Sequence, residues 1–575
     1  MPRSSPAIPA AYCDKMTNEE RKILDALLAD AIHHGAQPFT VVSSDRWRKF
    51  LERLRPSYVV PDADTIGGEL LDDAYLNVQK QTLAAVAKMP VFCITINGAT
   101  LTTSKPILNI MICGPKAFFI EHFTMGTERE TAVNLHAKLV SFKARVNNYF
   151  TTAQLATSSG HEFLPAAKTC LWTLCTDSPK VMIALRRTAV ANATVTFAFG
   201  CAPHALNNCC LDWMKLRAVK ATIASAVAIV TGICRLHRRL ALVLFTKTRW
   251  STCRTMLERL LRVRDVLQLL PLVLRRPGAT VRACIEAVDK LLAPVCAALT
   301  FLGGEEATHS SVYACFLAVA VAVKELPDNL TASLGNHNRD VLVAAVKDRF
   351  HSIYSPSHAL AFVTDPLFID MGQHLVIQYG TDFVQLSQAS LNSQCNTALG
   401  MIDSSPQAKI KAEFSLWLAR PCGPNSGFWC SRAIKPHLLW AQMAKSAVAH
   451  FAPALVQVHA NSTGAVGGER THLTTKRVAS AVRSRIGEGN VERQVAIAFN
   501  GSQLARELEV AHGGKFIGHL VDLGSAEDTT LAAICSSTSE DASENIEDDF
   551  PLVEDPSSFI DEFLVEEDWG SGVVG

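Results

Sequence analysis

No CxxC pair occurs among the 17 cysteines of this 575-residue chain, and their number is odd. That excludes a regular disulfide framework and points to a reducing compartment. No apolar run reaches the ~18 residues that a membrane span requires. The stretches Ala221–Cys234 and Val312–Val323 both fall short and read as buried helices, so no membrane association is expected. The opening MPRSSPAIPAAYCDKMTNEERK lacks the apolar region of a secretory signal, and a secreted protein is not expected. Internal repeats are absent. Charged residues are sparse at 19%, while the 48% hydrophobic content is ample for a buried core. Length alone suggests roughly three or four domains.

One sign of charge is missing from the end of the chain. Residues 536–575 hold 13 Asp and Glu and no Lys or Arg. The remainder therefore sets 55 basic residues against 41 acidic ones, and the net charge of +1 conceals a body of about +14. A basic body suits nucleic acid or another polyanion as partner. From about residue 526 onward Ser, Asp and Glu dominate, which reads as a disordered acidic tail. Phe550, Leu552, Phe559, Ile560, Phe563, Leu564 and Trp569 interleave with the acids, so the tail also fits a partner-binding acidic–hydrophobic segment.

Residues 17–55 read as helical, with Thr17 and Glu20 forming a possible capping box. Residues 68–89 read as another helix. Residues 91–97, 106–113 and 117–124 follow as β-rich runs, the last two separated by the hairpin signal Gly114-Pro115. Leu135, Leu139, Phe142 and Val146 give 131–150 a helical period. Two more apolar runs, 169–176 and 194–199, end at Asp177 and Gly200. The order β-β-β-α-β-α-β-α is that of a ribonuclease-H-like sheet, in which strands one and four are neighbours. Residues 205 to about 440 read almost wholly as helix, with breaks near Pro271, Pro277, Gly303-Gly304 and Pro327.

The expected fold is therefore α/β: a ribonuclease-H-like mixed five-stranded sheet interrupted by a large all-helical insertion. The expected divisions are a helical N-terminal segment (1–67), the first part of the core (68–215), the insertion (216–440), a completion and dimerisation region (441–525) and the tail (526–575). A core of this kind collects carboxylates from two strand ends and a distant helix. Here those positions are Asn97, Asp177 and Glu469.

Six segments in order resemble a hAT-superfamily transposase, of the subgroup whose central domain is catalogued as a domain of unknown function. They are HGAQPFTVVSSDRWRKFLERLRPSYVVPD (34–62), TINGATLTTSKPILNIMI (95–112), TDSPKVM (176–182), GCAPHALNNCCLD (200–212), TRW (248–250) and NSTGAVGGERTHL (461–473), the last followed by RSRI (483–486) and VAIAFN (495–500). The resemblance covers about residues 30–500. It implies a nuclear protein, a homodimer or higher homo-oligomer, and DNA as partner. It implies that Asp177 and Glu469 occupy catalytic positions and hold Mg²⁺ in an active enzyme. It makes Cys201 and His204 a core-supporting motif, and Arg249 and Trp250 DNA contacts, with Trp250 stacking on an unpaired base. Residues 215–276 carry 14 Lys and Arg against Glu258 and Asp265 alone.

The departures are specific. The family's Ile-Asp-Gly-Trp-Thr is here Ile96, Asn97, Gly98, Ala99, Thr100, and Ser178 replaces an Asn. The family's BED zinc finger has no counterpart, because before residue 90 only Cys13, His33 and His34 could serve as its ligands. Cys201 and His204 lack the partners a zinc site needs. Transposition of this type uses two Mg²⁺ ions that activate the nucleophile and hold the leaving oxygen. Mg²⁺ prefers anionic oxygens, and an Asn amide cannot bridge two metals. The expectation is a domesticated or decayed transposase-like protein that dimerises and binds DNA without strand transfer, needing no cofactor. Two alternatives stand beside it. One is an active two-metal transposase in which another acid, such as Glu121 or Asp177 alone, rescues metal binding. The other is a protein-interaction scaffold without DNA binding.

Overall fold

The polar start Thr17-Asn18-Glu19-Glu20 fixes where the first helix begins. The Thr17 hydroxyl accepts from the Glu20 amide at 3.2 Å, and the Glu20 carboxylate accepts from the Thr17 amide at 2.9 Å. Both orphan donors of a capping box are thereby satisfied. Helix α1 (Asn18–His34) is followed by a 3-10 turn (Phe39–Ser43), α2 (Asp45–Leu54), α3 (Ala63–Gly67) and α4 (Glu69–Ala87). Then come β1 (Val91–Thr100), β2 (Pro106–Cys113), β3 (Ala117–Phe123), α5 (Ala132–Thr152), β4 (Leu171–Thr176), α6 (Lys180–Ala191), β5 (Phe197–Gly200) and α7 (Ala202–Met214). The computed structural model describes residues 15–100, 106–123, 129–152, 170–236, 244, 250–262, 278–304, 307–334, 338–365, 368, 388–402, 407–419, 435–444, 448–479 and 487–505.

The fold is mixed α/β and mostly helical, with one five-stranded mixed sheet of order β3-β2-β1-β4-β5. β1, β2 and β3 pair antiparallel; β4 and β5 pair in parallel, α6 supplying the crossover. The β-β-β-α-β-α-β-α succession matches the sequence expectation. One boundary does not. β1 continues through Gly98 to Thr100, so Asn97 lies inside the strand rather than at its end. Pairing of Asn97, Gly98, Ala99 and Thr100 with Asn109, Leu108, Ile107 and Pro106 extends the ladder past the expected stop.

The chain divides into two compact units: Met1–Glu130 with Ser141–Lys168 and Gly467–Leu508, and Thr131–Val140 with Thr169–Val466 and Glu509–Gly575. The N-terminal helices, expected as a segment of their own, belong to the first unit. Leu71 and Val78 of α4 pack with Ile497 of the last described helix, so they share a core with the strands' own unit.

In the second unit the helices after α7 are α8 (Arg217–Leu236), α9 (Trp250–Arg262), α10 (Gly278–Gly303), α11 (His309–Lys324), α12 (Asp328–Leu334), α13 (Asn338–Ile353), α14 (Pro356–Thr364), α15 (Gln388–Met401), α16 (Gln407–Ala419), α17 (Pro436–Met443) and α18 (Phe451–His459). The continuous amphipathic helix expected over Pro436–Val456 is two helices, α17 and α18. Most of its apolar side chains pack within the second unit. Leu439, Trp440, Phe451 and Leu455 are buried, and only Leu438 among the expected anchors is well exposed. Trp440 packs edge-on to Phe451 and tilts against Trp417, which ties the break between the helices into the core.

α19 (Val466–Val478) and α20 (Glu488–Ala505) return to the first unit. The region expected to pack as one block on the insertion is thus divided. Residues up to 466 join the helical unit, where Thr463 donates to the Leu302 carbonyl at 3.2 Å. Residues from 467 join the unit of β1–β3. No single helix among the described residues is long and apolar enough to cross a membrane. Helices α11 and α12 meet at a bend of 91° and are apolar together, but α11 is buried along nearly its whole length.

α20 closes the edge of β3. The Asn500 carboxamide accepts from the Phe119 amide at 2.8 Å and donates to the Phe119 carbonyl at 2.7 Å, imitating a neighbouring strand. Unpaired buried backbone groups cost about 1–3 kcal/mol each. Asn500→Ala should therefore lower stability by about 2–5 kcal/mol and speed amide exchange at Phe119. A loss below about 1 kcal/mol in urea unfolding would show that the clamp is dispensable.

Candidate functional site

In the first unit, the register aligns three polar residues in one row across three strands: Asn97 on β1, Asn109 on β2 and His122 on β3. Directly paired residues point to the same face, so the row forms a polar band across the sheet surface. The opposite face packs on α5, with Phe92 stacked on Phe150 and Phe123 edge-on to Phe142.

α19 lies along the polar row, and two glycines let it approach. A Cβ at Gly468 would sit 2.9 Å from the Asn97 Cβ, and one at Gly467 would sit 3.0 Å from the Ala117 Cβ. Glycine inside a helix costs about 0.5–1 kcal/mol, a cost expected only where backbone must come close. Glu469 follows Gly468 directly, so the backbone that carries it is beside Asn97 across 372 residues of sequence. The Glu469 side chain lies outside the described residues.

The same helix brings His472. Its ring donates to the Asn97 carbonyl, which leaves the Nε2 side of the neutral imidazole as acceptor. Burial foremost pushes His472 down to about 4, with Lys476 adding to the effect and the Asn97 contact opposing it. His122 is likewise pushed down to about 4, by burial first and by His472 second. Both Asn109 carboxamide atoms and the Nε2 atoms of His122 and His472 are buried without hydrogen-bond partners. The band is neutral and amide-rich where an active metal nuclease needs anions.

Asp177 belongs to the second unit, in the turn from β4 to α6, and is half-buried. Its charge, after that of Cys175, favours the protonated state of Arg186, which burial opposes most strongly. Arg186 is itself buried and donates to the Ser352 carbonyl at 2.9 Å. Asp177 thus faces a guanidinium anchored in the protein.

Cys201 caps the start of α7, and its Sγ accepts from the Ala465 amide at 3.3 Å. His204 is pushed down to about 4 by burial and then by Arg349. Arg349 clamps Asp212 of the same motif at 2.6 Å. These are scaffold contacts. No group of three or more His, Cys, Asp or Glu able to hold a metal occurs among the described residues.

Trp250 needs correction. It is 2% exposed at the start of α9, within the helical core. An indole so covered offers no face to an unpaired base. Arg249, the RSRI stretch, most of the basic run 237–249 and 263–276, and the acidic tail lie outside the described residues.

Sequence reasoning missed a second polar centre. His309 of α11 stacks on His358 of α14 at 4.4 Å, its Nε2 meets the Ser357 hydroxyl at 3.0 Å, and its Nδ1 meets the Ser462 carbonyl at 3.3 Å. A serine bonded to an oriented histidine has the form of a nucleophile–base pair. Here His309, Ser357 and His358 are all 0% exposed, which bars a substrate and makes the pair a packing device. Scattered histidines in helical sequence gave no signal of it. His472, three residues after Glu469, and the lone Asn109 within PILNIMIC were visible signals, because i,i+3 residues share a helix face and a polar residue interrupts an apolar strand.

No protein-family model matches this chain, and no curated protein matches it.

Proposed function

We propose that the chain is a domesticated or decayed hAT-transposase-like protein with a ribonuclease-H-like core, binding DNA through its basic body without strand transfer. The observation that carries this reading is the seating of α19, with its Gly-Gly-Glu, directly on β1 at Asn97. A pairing of those two segments is what the resemblance requires, and composition gives no reason for it. The reading assigns the acid positions to Asn97, Asp177 and Glu469. The first carries a neutral amide. The donor set does not fit a bridged Mg²⁺ pair, since a carboxamide supplies one uncharged oxygen where a shared carboxylate is needed. Self-association belongs to the same reading. Its expected interface is the Pro436–Val456 stretch, where Leu438 is exposed while Leu439, Phe451 and Leu455 are buried.

Wild-type protein should show no Mg²⁺- or Mn²⁺-dependent nicking or strand transfer. It should still bind duplex DNA with an affinity that falls steeply with salt, as phosphate contacts demand. Asn97→Asp should restore some metal binding, detectable by calorimetry, without restoring full activity. Ala99 and Ser178 have also departed from the family pattern, and a 1 Å misplacement can cost ~10²-fold in rate. Robust cleavage by the wild type, abolished by Asp177→Ala, would replace this reading with that of an active transposase. Absence of salt-sensitive DNA binding would replace it with that of a protein scaffold.

A further inference from the structure

Among the described residues of the first unit's N-terminal region, helix α2 leaves its apolar face uncovered. None of its ten residues is buried. Trp47, Phe50 and Leu54 fall at i, i+3 and i+7, on one side of the helix, and are 46%, 54% and 66% exposed. Trp47 and Phe50 pack edge-on at 5.9 Å, so the face is organised rather than splayed. Exposed apolar clusters of this kind mark interaction sites. The face is framed by positive charge: residues 45–55 contain Arg46, Arg48, Lys49, Arg53 and Arg55 against Asp45 and Glu52.

The chain contains a segment with the complementary pattern. Phe559, Ile560, Phe563 and Leu564 recur at helical spacing, and Asp561, Glu562, Glu566, Glu567 and Asp568 stand between and after them, with no basic residue from 536 to the end. An apolar stripe edged with acids matches an apolar stripe edged with bases. This is the logic of an amphipathic helix laid on an apolar surface, with charge setting orientation.

Reach is satisfied. The described residues end in α20, where Gly501 abuts the His34 ring at the C-terminal end of α1. The other end of α1 is tied to α2, since Glu20 pairs with Arg55 at 3.5 Å. The 17 residues of α1 span about 25 Å at 1.5 Å per residue. Phe550 lies 45 residues after Ala505, and an unstructured polypeptide of that length has a root-mean-square reach of roughly 35–40 Å. The tail therefore meets α2 at high effective concentration.

We propose that the acidic–hydrophobic segment 550–569 docks in cis on the basic apolar face of α2, with Phe559 and Phe563 against Trp47 and Phe50. The test uses the full chain. Carbodiimide coupling should join Lys49 to Glu562, Glu566 or Glu567 within one molecule. Amide exchange over residues 45–54 should be at least tenfold slower in wild type than in Phe559→Ser/Phe563→Ser. The cross-link should be lost in Trp47→Ser/Phe50→Ser and should weaken at high salt. All four substituted residues lie on the exposed face or in the tail, and an unchanged circular dichroism spectrum checks the fold. Equal exchange in wild type and tail variant overturns the proposal. So do cross-links found only between molecules, which would assign the face to a second copy. Protection of α2 that requires anionic vesicles would assign it to a membrane surface, and also overturns the proposal.

Discussion

Lowering the pH from 7.5 to 5.5 should strip several kcal/mol from the helical unit. Burial holds His204, His309 and His437 at about 4, with Arg349 adding to the effect at His204 and Lys435 at His437. It holds His358 and His459 well below the ordinary value, each then lowered further by His309. The folded values lie below the unfolded value of about 6.5. Between them the unfolded chain takes up protons that the folded chain refuses, so stability is full above about pH 6.5 and falls as pH drops toward 4. A single imidazole moved from 6.5 to 4 loses about 1.3 kcal/mol between pH 7.5 and 5.5, so His204, His309 and His437 together lose about 4, and His358 and His459 act in the same direction. Asp289, raised to about 6 chiefly by burial, works in the opposite direction and returns about 0.8 kcal/mol. Urea unfolding at the two pH values should show a net loss of at least about 3 kcal/mol. His437→Gln should reduce the pH difference by about 1.3 kcal/mol, whatever it does to stability at pH 7.5. A pH-independent midpoint over this range would mean that these imidazoles titrate freely in the native state.

Gly200→Ala should be among the most damaging single changes in the protein. Gly200 ends β5, and an added Cβ would lie 2.2 Å from Arg186 Nη1, 2.3 Å from Ile353 Cγ2 and 2.8 Å from Ile353 Cβ. Arg186 is fixed by its bond to the Ser352 carbonyl, and Ile353 is fully buried. Neither can move without carrying α13 with it. Overpacking of a tight site costs 1–3 kcal/mol and occasionally more, and two rigid neighbours place this case at about 3 kcal/mol or above. Gly303→Ala is the matched control. It faces open space at the end of α10 and should change stability by no more than about 0.5 kcal/mol. Similar unfolding midpoints for the two variants would show that β5 is free to shift away from α13.

The close approach at Gly200 also explains what could be read in advance. The sequence marks Gly200 as the end of an apolar run, and the run is a strand. It does not say that an arginine 14 residues earlier and an isoleucine 153 residues later would converge on it. The same division holds at the candidate site. The continuous apolar, β-rich runs VFCITIN and PILNIMIC identified two strands, and such runs suit strands buried on both faces, as these are. They misplaced the end of β1. Gly98 reads as a breaker in isolation, yet pairing with Leu108 keeps it in the ladder. Helical spacing found both halves of the expected Pro436–Val456 helix but not the break between them.

The sequence by itself determined the order of strands and helices, the capped start of α1, the scarcity of anionic ligands at position 97 and the acidic end of the chain. Each depends on neighbours within a few residues or on side-chain chemistry alone. Tertiary structure decided the rest. It buried Trp250, it seated Gly468 on Asn97, it stacked His309 on His358 from separate helices, and it left Trp47 and Phe50 exposed on α2. Those outcomes depend on which apolar faces find one another across hundreds of residues. Hydrophobic attraction is non-directional, so a pattern of apolar residues shows that a face will be buried without naming its partner.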